Sequence, residues 1–136
     1  MGQFGSVELQ MLAASAALGL VQLILAVPFS VAARGMPWAL GARDNAGAPL
    51  GTIGARMERA YRNFLETFPV FVAAVLIATS LNKHTAMTML GAQLYFWARV
   101  AFVPVYALGI PVVRTLVWTV ALVGILLVLQ VGWLGM

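Results

Sequence analysis

Four long apolar stretches, near residues 6–33, 57–81, 84–106 and 111–134, leave this chain only one medium in which to fold. Each is long enough to cross a hydrocarbon core of about 30 Å, which takes roughly 20 residues of helix. With 62% hydrophobic residues, 9% charged residues and a mean hydropathy of +0.97 over 136 residues, the chain carries more apolar sequence than a soluble core of this size could hide. It therefore reads as one integral membrane domain, residues 1–136. The first stretch has no basic leader and is longer than the apolar core of a signal peptide, so it reads as a retained span. The opening M-G-Q-F-G-S matches a myristoylation pattern. Coincidence is the simpler explanation, because four spans make a lipid anchor redundant.

The connections set the architecture. L-N-K-H near 81–84 and A-L-G-I-P near 107–111 are short, which makes successive spans antiparallel neighbours and predicts an all-α, up-down four-helix bundle. Residues 34–54 form a Gly- and Pro-rich polar loop, with Trp38 read as an interfacial anchor. Gly47, Gly51 and Gly54 follow no strand and precede no G-K-[ST], so they are not a phosphate loop. Pro28, Pro69 and Pro104 fall within spans, where neighbouring helices can absorb the lost backbone hydrogen bond.

Composition excludes several chemistries. The chain has no cysteine, hence no disulfide, thiolate metal site or nucleophilic thiol of its own. A single histidine, His84 in the second connection, supports neither a Ser-His-Asp triad nor a multi-histidine metal site within one chain, and no metal ligand set is expected. The net charge of +4 belongs to membrane boundaries and not to nucleic acid. Arg34, Arg43, Arg56, Arg59, Arg62, Arg99 and Arg114 share one side of an alternating four-span topology, with Lys83 on the other. The positive-inside rule then places the arginine-rich face in the cytoplasm and both termini outside.

Between Arg56 and Glu66 the sequence runs R-M-E-R-A-Y-R-N-F-L-E directly into an apolar block. At about 100° per residue Arg56, Arg59, Arg62, Asn63 and Glu66 share about one third of a helix circumference, while Glu58 sits four residues before Arg62, the favourable order for a helical ion pair. On the third span Tyr95, Arg99, Phe102 and Tyr106 form one stripe. An arginine within a span costs about 2.5 to 3.5 kcal/mol at the bilayer centre and less near its edge, so Arg99 needs a partner, for which Glu66 is the candidate. The fourth span opens P-V-V-R-T, placing Arg114 where the helix dipole favours an anion. Snorkelling to lipid phosphates would account for arginines alone, and for Arg34 and Arg43 it stands level with a ligand role. The amide, carboxylate and tyrosine on matching faces go further and suggest a pocket for a small zwitterion or polyanion.

The strings E-R-A-Y-R-N-F-L-E-T-F-P, A-R-V-A-F-V-P-V-Y and G-I-P-V-V-R-T strongly resemble the MAPEG family, the membrane-associated proteins in eicosanoid and glutathione metabolism, over nearly the whole chain. The resemblance, to a bacterial-type member, implies a homotrimer of four-helix protomers in a bacterial inner membrane. Glutathione would serve as co-substrate, held on the cytoplasmic side between subunits. It implies that Arg59, Arg62, Asn63 and Glu66, with Arg56 nearby, hold the tripeptide, joined by Arg34, Arg99 and Tyr106. Arg114 looks like the arginine that stabilises the thiolate, and Thr115 stands where a prostaglandin E synthase-like member has serine. Phe102 stands where eicosanoid-synthesising members have histidine or tyrosine, which argues against a prostaglandin or leukotriene substrate.

A free thiol titrates near a pKa of about 8.5, and cations or a helix N-terminus lower it, so Arg114 suits thiolate formation. The leading expectation is a glutathione transferase, with peroxidase activity toward lipid hydroperoxides as an extension, that joins the thiolate to a lipophilic electrophile from the bilayer. Two other readings stay open. One is a non-catalytic membrane protein that binds glutathione or acidic lipid. The other is a small four-span exporter, which would need a membrane carboxylate free to exchange protons, with Glu66 the inner candidate.

Overall fold

An apolar medium offers the backbone no hydrogen-bonding partner, and helices satisfy it internally. A computed structural model describes residues 5–134, and every regular element among them is a helix. The M-G-Q-F of the myristoylation pattern lies outside the described residues. In chain order the elements are α1 Val7–Arg34, α2 Met36–Leu40, α3 Thr52–Ser80, α4 Ala86–Leu108, α5 Pro111–Leu129 and α6 Val131–Leu134.

Local chemistry sets the ends. Ser6 caps α1 by accepting from Leu9 N–H, and Thr85 and Thr88 form a reciprocal capping box at the start of α4. Gly109, in the left-handed region at φ 74°, ends α4, and Pro111 opens α5 at its first position. Pro28, Pro69 and Pro104 all lie inside continuous helices. The polar stretch 34–54 is shorter as a loop than its composition suggests, because α2 occupies Met36–Leu40 and α3 already begins at Thr52. The polar face of α3 is thus an extension of a membrane helix, wound before the apolar block starts.

Three helical stretches are long and apolar enough to cross a membrane: Val7–Arg34, Thr52–Ser80 and Pro111–Leu134. The fourth long helix, α4, has 23 residues but is less apolar, since Gln93, Tyr95, Arg99 and Tyr106 interrupt it. Its position explains much of the tolerance: α4 packs against α1, α3 and α5, so Tyr95 and Arg99 are buried against protein and Tyr106 partly so, while Gln93 is exposed. Meanwhile α1 turns Leu20, Ile24 and Val27 outward, and α5 does the same with Leu116, Val120 and Leu126. The core between α3, α4 and α5 is built from Phe71, Val75, Tyr95, Ile125 and Val128 with Ala74, Ala78, Ala92, Ala98 and Ala121 between them. Small residues let helix backbones approach where lipid supplies no hydrophobic drive for association.

The closest approach is between α4 and α5. A methyl group added to Gly124 would stand 2.5 Å from Gly91 O, and one added to Gly91 would stand 2.5 Å from Gly124 O. Neither oxygen can move without separating the helices. Gly124→Ala should therefore destabilise by about 1–3 kcal/mol, the usual range for overpacking. The effect would be read as a lowered thermal midpoint of the detergent-purified protein, and an unchanged midpoint would contradict the packing.

Candidate functional site

The arginine-rich end of the bundle is where α1 and α4 finish and α3 and α5 begin. Tyr106, near the end of α4, is its centre. Arg59 Nε donates to Tyr106 Oη at 3.2 Å, and the guanidinium carbons of Arg59 and Arg114 lie 5.9 and 5.1 Å from the ring centroid. Both distances fall within cation–π range. Arg56 reaches one turn further and donates to Ala107 O at 3.2 Å, meeting a carbonyl at the negative end of α4. Gly109 makes room for it, since a Cβ there would come 2.7 Å from the Arg56 guanidinium carbon. Arg56, Arg59, Tyr106 and Arg114 line a recess of about 220 Å³ together with Gly109, Ile110 and Pro111, and no acidic side chain lines it.

A second cavity, about 370 Å³, shares Tyr106 and Arg114 with the first and adds Asn63, Phe102, Thr115 and Trp118. The two adjoin at Tyr106 and Arg114, the first lined by cations and the second by aromatic side chains. Thr115 Oγ1 donates to Pro111 O of its own helix at 3.3 Å, which commits the hydroxyl proton and leaves the oxygen to the cavity. Trp118 escaped the sequence reading, although it stands one helical turn beyond Arg114 and spacing alone would have brought it to the same face.

Arg99 does not pair with Glu66. It is 1% exposed, and its Nη1 donates to Asn63 Oδ1 at 2.8 Å, while its guanidinium carbon lies 4.2 Å from the Phe102 ring centroid and 5.7 Å from that of Phe64. The reason is geometric. Arg99 is buried between α3 and α4, whereas Glu66 is exposed in a groove of about 260 Å³ with Val70, Leu122 and Leu126, and acts on Arg99 only through its field. Arg99 Nε and Nη2 have no hydrogen-bond partner among the described residues, so ring faces meet much of its charge. Its effect on the cavity passes through Asn63. A guanidinium has only donors, so the amide must turn its oxygen to Arg99, which leaves its NH₂ for the cavity.

The remaining expected residues stand apart from the recess. Arg62 pairs with Glu58 at 3.2 Å on the exposed face of α3. Arg34 donates from Nε to Ala48 O at 2.9 Å and lies over Trp38, as does Arg43. A shallow cavity of about 220 Å³ nevertheless brings Arg34, Arg59 and Arg62 to one surface. Within one chain, then, Arg56, Arg59, Asn63, Tyr106, Arg114 and Thr115 converge and Arg99 supports them, while Arg34 and Arg62 share only a surface with Arg59 and Glu66 lines a separate groove.

The carboxylate buried in the bundle is Glu8, which the sequence reading passed over in favour of Glu66. It is 0% exposed at the opposite end, where it accepts from Thr88 Oγ1 and lies 3.2 Å from His84 Nδ1. His84 is thereby more than a connecting residue, because it ties the second connection to α1. A signal was present: Glu8, Ser15 and Gln22 recur at seven-residue spacing, and all three are buried.

The family model described as the MAPEG family matches residues 11–133. No curated protein and no solved structure gives a match.

A buried arginine with one hydrogen bond is costly, and an apolar replacement of similar length removes the cost. Arg99→Met should leave the thermal midpoint unchanged or raise it, by up to about 1–2 kcal/mol of stability. A clear fall in the midpoint would show that Arg99 holds the fold together.

Proposed function

The chain belongs to the MAPEG family, and on that premise we propose that it is a glutathione-dependent membrane transferase, with peroxidase activity toward lipid hydroperoxides as an extension of the same chemistry. Members of the family include glutathione transferases and peroxidases and also non-enzymatic proteins. The observation that carries the enzymatic reading is the recess around Tyr106, where Arg56, Arg59 and Arg114 converge with no carboxylate to neutralise them. Such a recess attracts a small polyanion, and glutathione carries two carboxylates.

In this reading Arg56 and Arg59 bind carboxylates, and Asn63 offers its NH₂ to a carboxylate or carbonyl oxygen. Arg114, one turn into α5, lowers the free energy of a thiolate beside it and so favours loss of the thiol proton near neutral pH. The thiolate sulfur then attacks the electrophilic carbon of a lipophilic substrate, a carbon–sulfur bond forms, and the leaving group departs with its electron pair. Phe102 and Trp118 give the second cavity an aromatic wall against which such a substrate can rest. Arg34, Arg62 and Glu66 complete the site in an assembly of four-span protomers as a homotrimer, where a neighbouring copy covers the exposed face of α3. The arginine-rich end faces the cytoplasm of a bacterial inner membrane.

A second reading rests on Glu66, which has no hydrogen bond or ion pair among the described residues and lines an apolar groove. A membrane carboxylate in that setting suits proton-coupled export.

Glutathione should raise the thermal midpoint of the purified protein and produce thiolate absorbance at the ultraviolet edge. Arg114→Ala should abolish the absorbance while retaining part of the stabilisation. Stabilisation with no thiolate signal in the parent protein would leave a binding protein, and no response to glutathione combined with Glu66-dependent proton-coupled uptake in liposomes would establish the exporter. Asn63→Asp should keep its bond to Arg99 but present an oxygen to the ligand. The expected result is a KM for glutathione raised at least about tenfold, with kcat changed far less, and an unaltered KM would remove Asn63 from the binding set.

A further inference from the structure

The segment between α1 and α3 is wound around one tryptophan. The guanidinium carbons of Arg34 and Arg43 lie 4.8 and 5.0 Å from the Trp38 ring centroid, and Trp38 Nε1 donates to Asn45 Oδ1 at 2.9 Å. Backbone carbonyls fix both cations: Arg34 Nε donates to Ala48 O, and Arg43 Nε and Nη2 donate to Ala39 O. That leaves both terminal nitrogens of Arg34 and Nη1 of Arg43 with no hydrogen-bond acceptor among the described residues. Two like charges are thus held near one ring with donors to spare.

Beneath them lies a cavity of about 250 Å³. Its α1 wall is Leu23, Ala26, Val27, Ser30 and Val31, successive turns of a single face. From Leu23 to Arg34 that wall runs about 16 Å along the helix. Leu23 and Val27 are 44% and 52% exposed, so the groove opens on its apolar side to the surrounding medium, which for this helix is lipid. The lining includes one carboxylate, Glu58, and that is taken by Arg62 at 3.2 Å. The feature is therefore apolar along its length, open to the bilayer, and doubly cationic at its head.

We propose that this groove seats one anionic phospholipid of the surrounding leaflet. An acyl chain lies along Leu23, Val27 and Val31, and the phosphate accepts hydrogen bonds from the free guanidinium nitrogens of Arg34 and Arg43. A zwitterionic lipid would set its own cation beside two guanidinium groups, and a soluble phosphate would leave the apolar wall unused. The groove lies between α1 and α3, away from the Tyr106 recess, and shares only Arg34 with the residues assigned to glutathione. The lipid site therefore stands without the glutathione reading.

The test uses the full chain, purified and stripped of lipid in detergent, with thermal unfolding followed as phosphatidylglycerol, phosphatidylcholine of the same acyl chains, or glycerol phosphate is added. Phosphatidylglycerol should raise the midpoint by about 5 °C, and the other two should leave it in place. Arg43→Gln, which removes one cation, and Val27→Trp, which fills the groove from its exposed side, should each remove most of that shift. Stabilisation by glutathione should persist in Arg43→Gln. Equal stabilisation by phosphatidylcholine would reduce the effect to apolar solvation and overturn the proposal, and so would full stabilisation by glycerol phosphate alone. A phosphatidylglycerol shift that survives both substitutions would place the lipid elsewhere.

Discussion

Seven arginines and a lysine face four carboxylates in this chain, and among the described residues one carboxylate, Glu58, forms an ion pair with an arginine. Glu8 is buried at the far end, Asp44 lies on the exposed loop, Glu58 takes Arg62, and Glu66 opens into an apolar groove. The other arginines are held by what a helical membrane protein has in surplus, namely aromatic faces and the carbonyls of helix ends and loops. Tyr106 holds Arg59 and Arg114, Trp38 holds Arg34 and Arg43, Phe102 holds Arg99, and Ala107 O holds Arg56. A guanidinium restrained in this way keeps its full charge and most of its donors. Electropositive surface at one end of the bundle follows from that mode of restraint more than from the number of arginines.

The same division explains which features were legible in the sequence. Long apolar runs and a run of charge at 3.6-residue spacing are local properties, so the helices and the polar face of α3 could be located before any packing was known. Partner choice is not local. Arg99 and Glu66 looked complementary because each lacked another mate, yet the rotation of α3 against α4 aims Asn63 at Arg99 and turns Glu66 toward α5. Glu8 meets Thr88 across 80 residues of chain, and an acidic residue in a first helical turn ordinarily signals only a favourable dipole.

Burial of Arg99 has a chemical consequence that exposure would have erased. Placed in the cavity, its guanidinium would bind any anion within reach. Behind Asn63, it fixes the orientation of an amide, which in isolation can present either an acceptor or a donor. The cavity thereby gains a directional donor at a neutral group, distinct from the cations Arg56, Arg59 and Arg114 that line the adjoining recess. In the function proposed above, charge draws the ligand in and the amide sets how it lies.

The two ends of α1 are tied by different means, and the contrast bears on how the bundle is held in a bilayer. At its start Glu8 is locked to α4 and the second connection by Thr88 and His84, a buried polar contact that lipid cannot replace. At its finish Arg34 is tied to the loop by Ala48 O and Trp38, leaving terminal nitrogens available to oxygens from outside the chain. Between these points α1 exposes much of its apolar surface, and its inward stripe of Ser15, Gly19 and Gln22 offers little apolar area to bury. The Ser15 and Gln22 side chains also have no hydrogen-bond partner among the described residues. Packing energy along the middle of α1 is therefore weak, and its position depends on its ends. One end is fixed by protein, and at the other the cations over Trp38 keep donors open to acceptors from outside the chain.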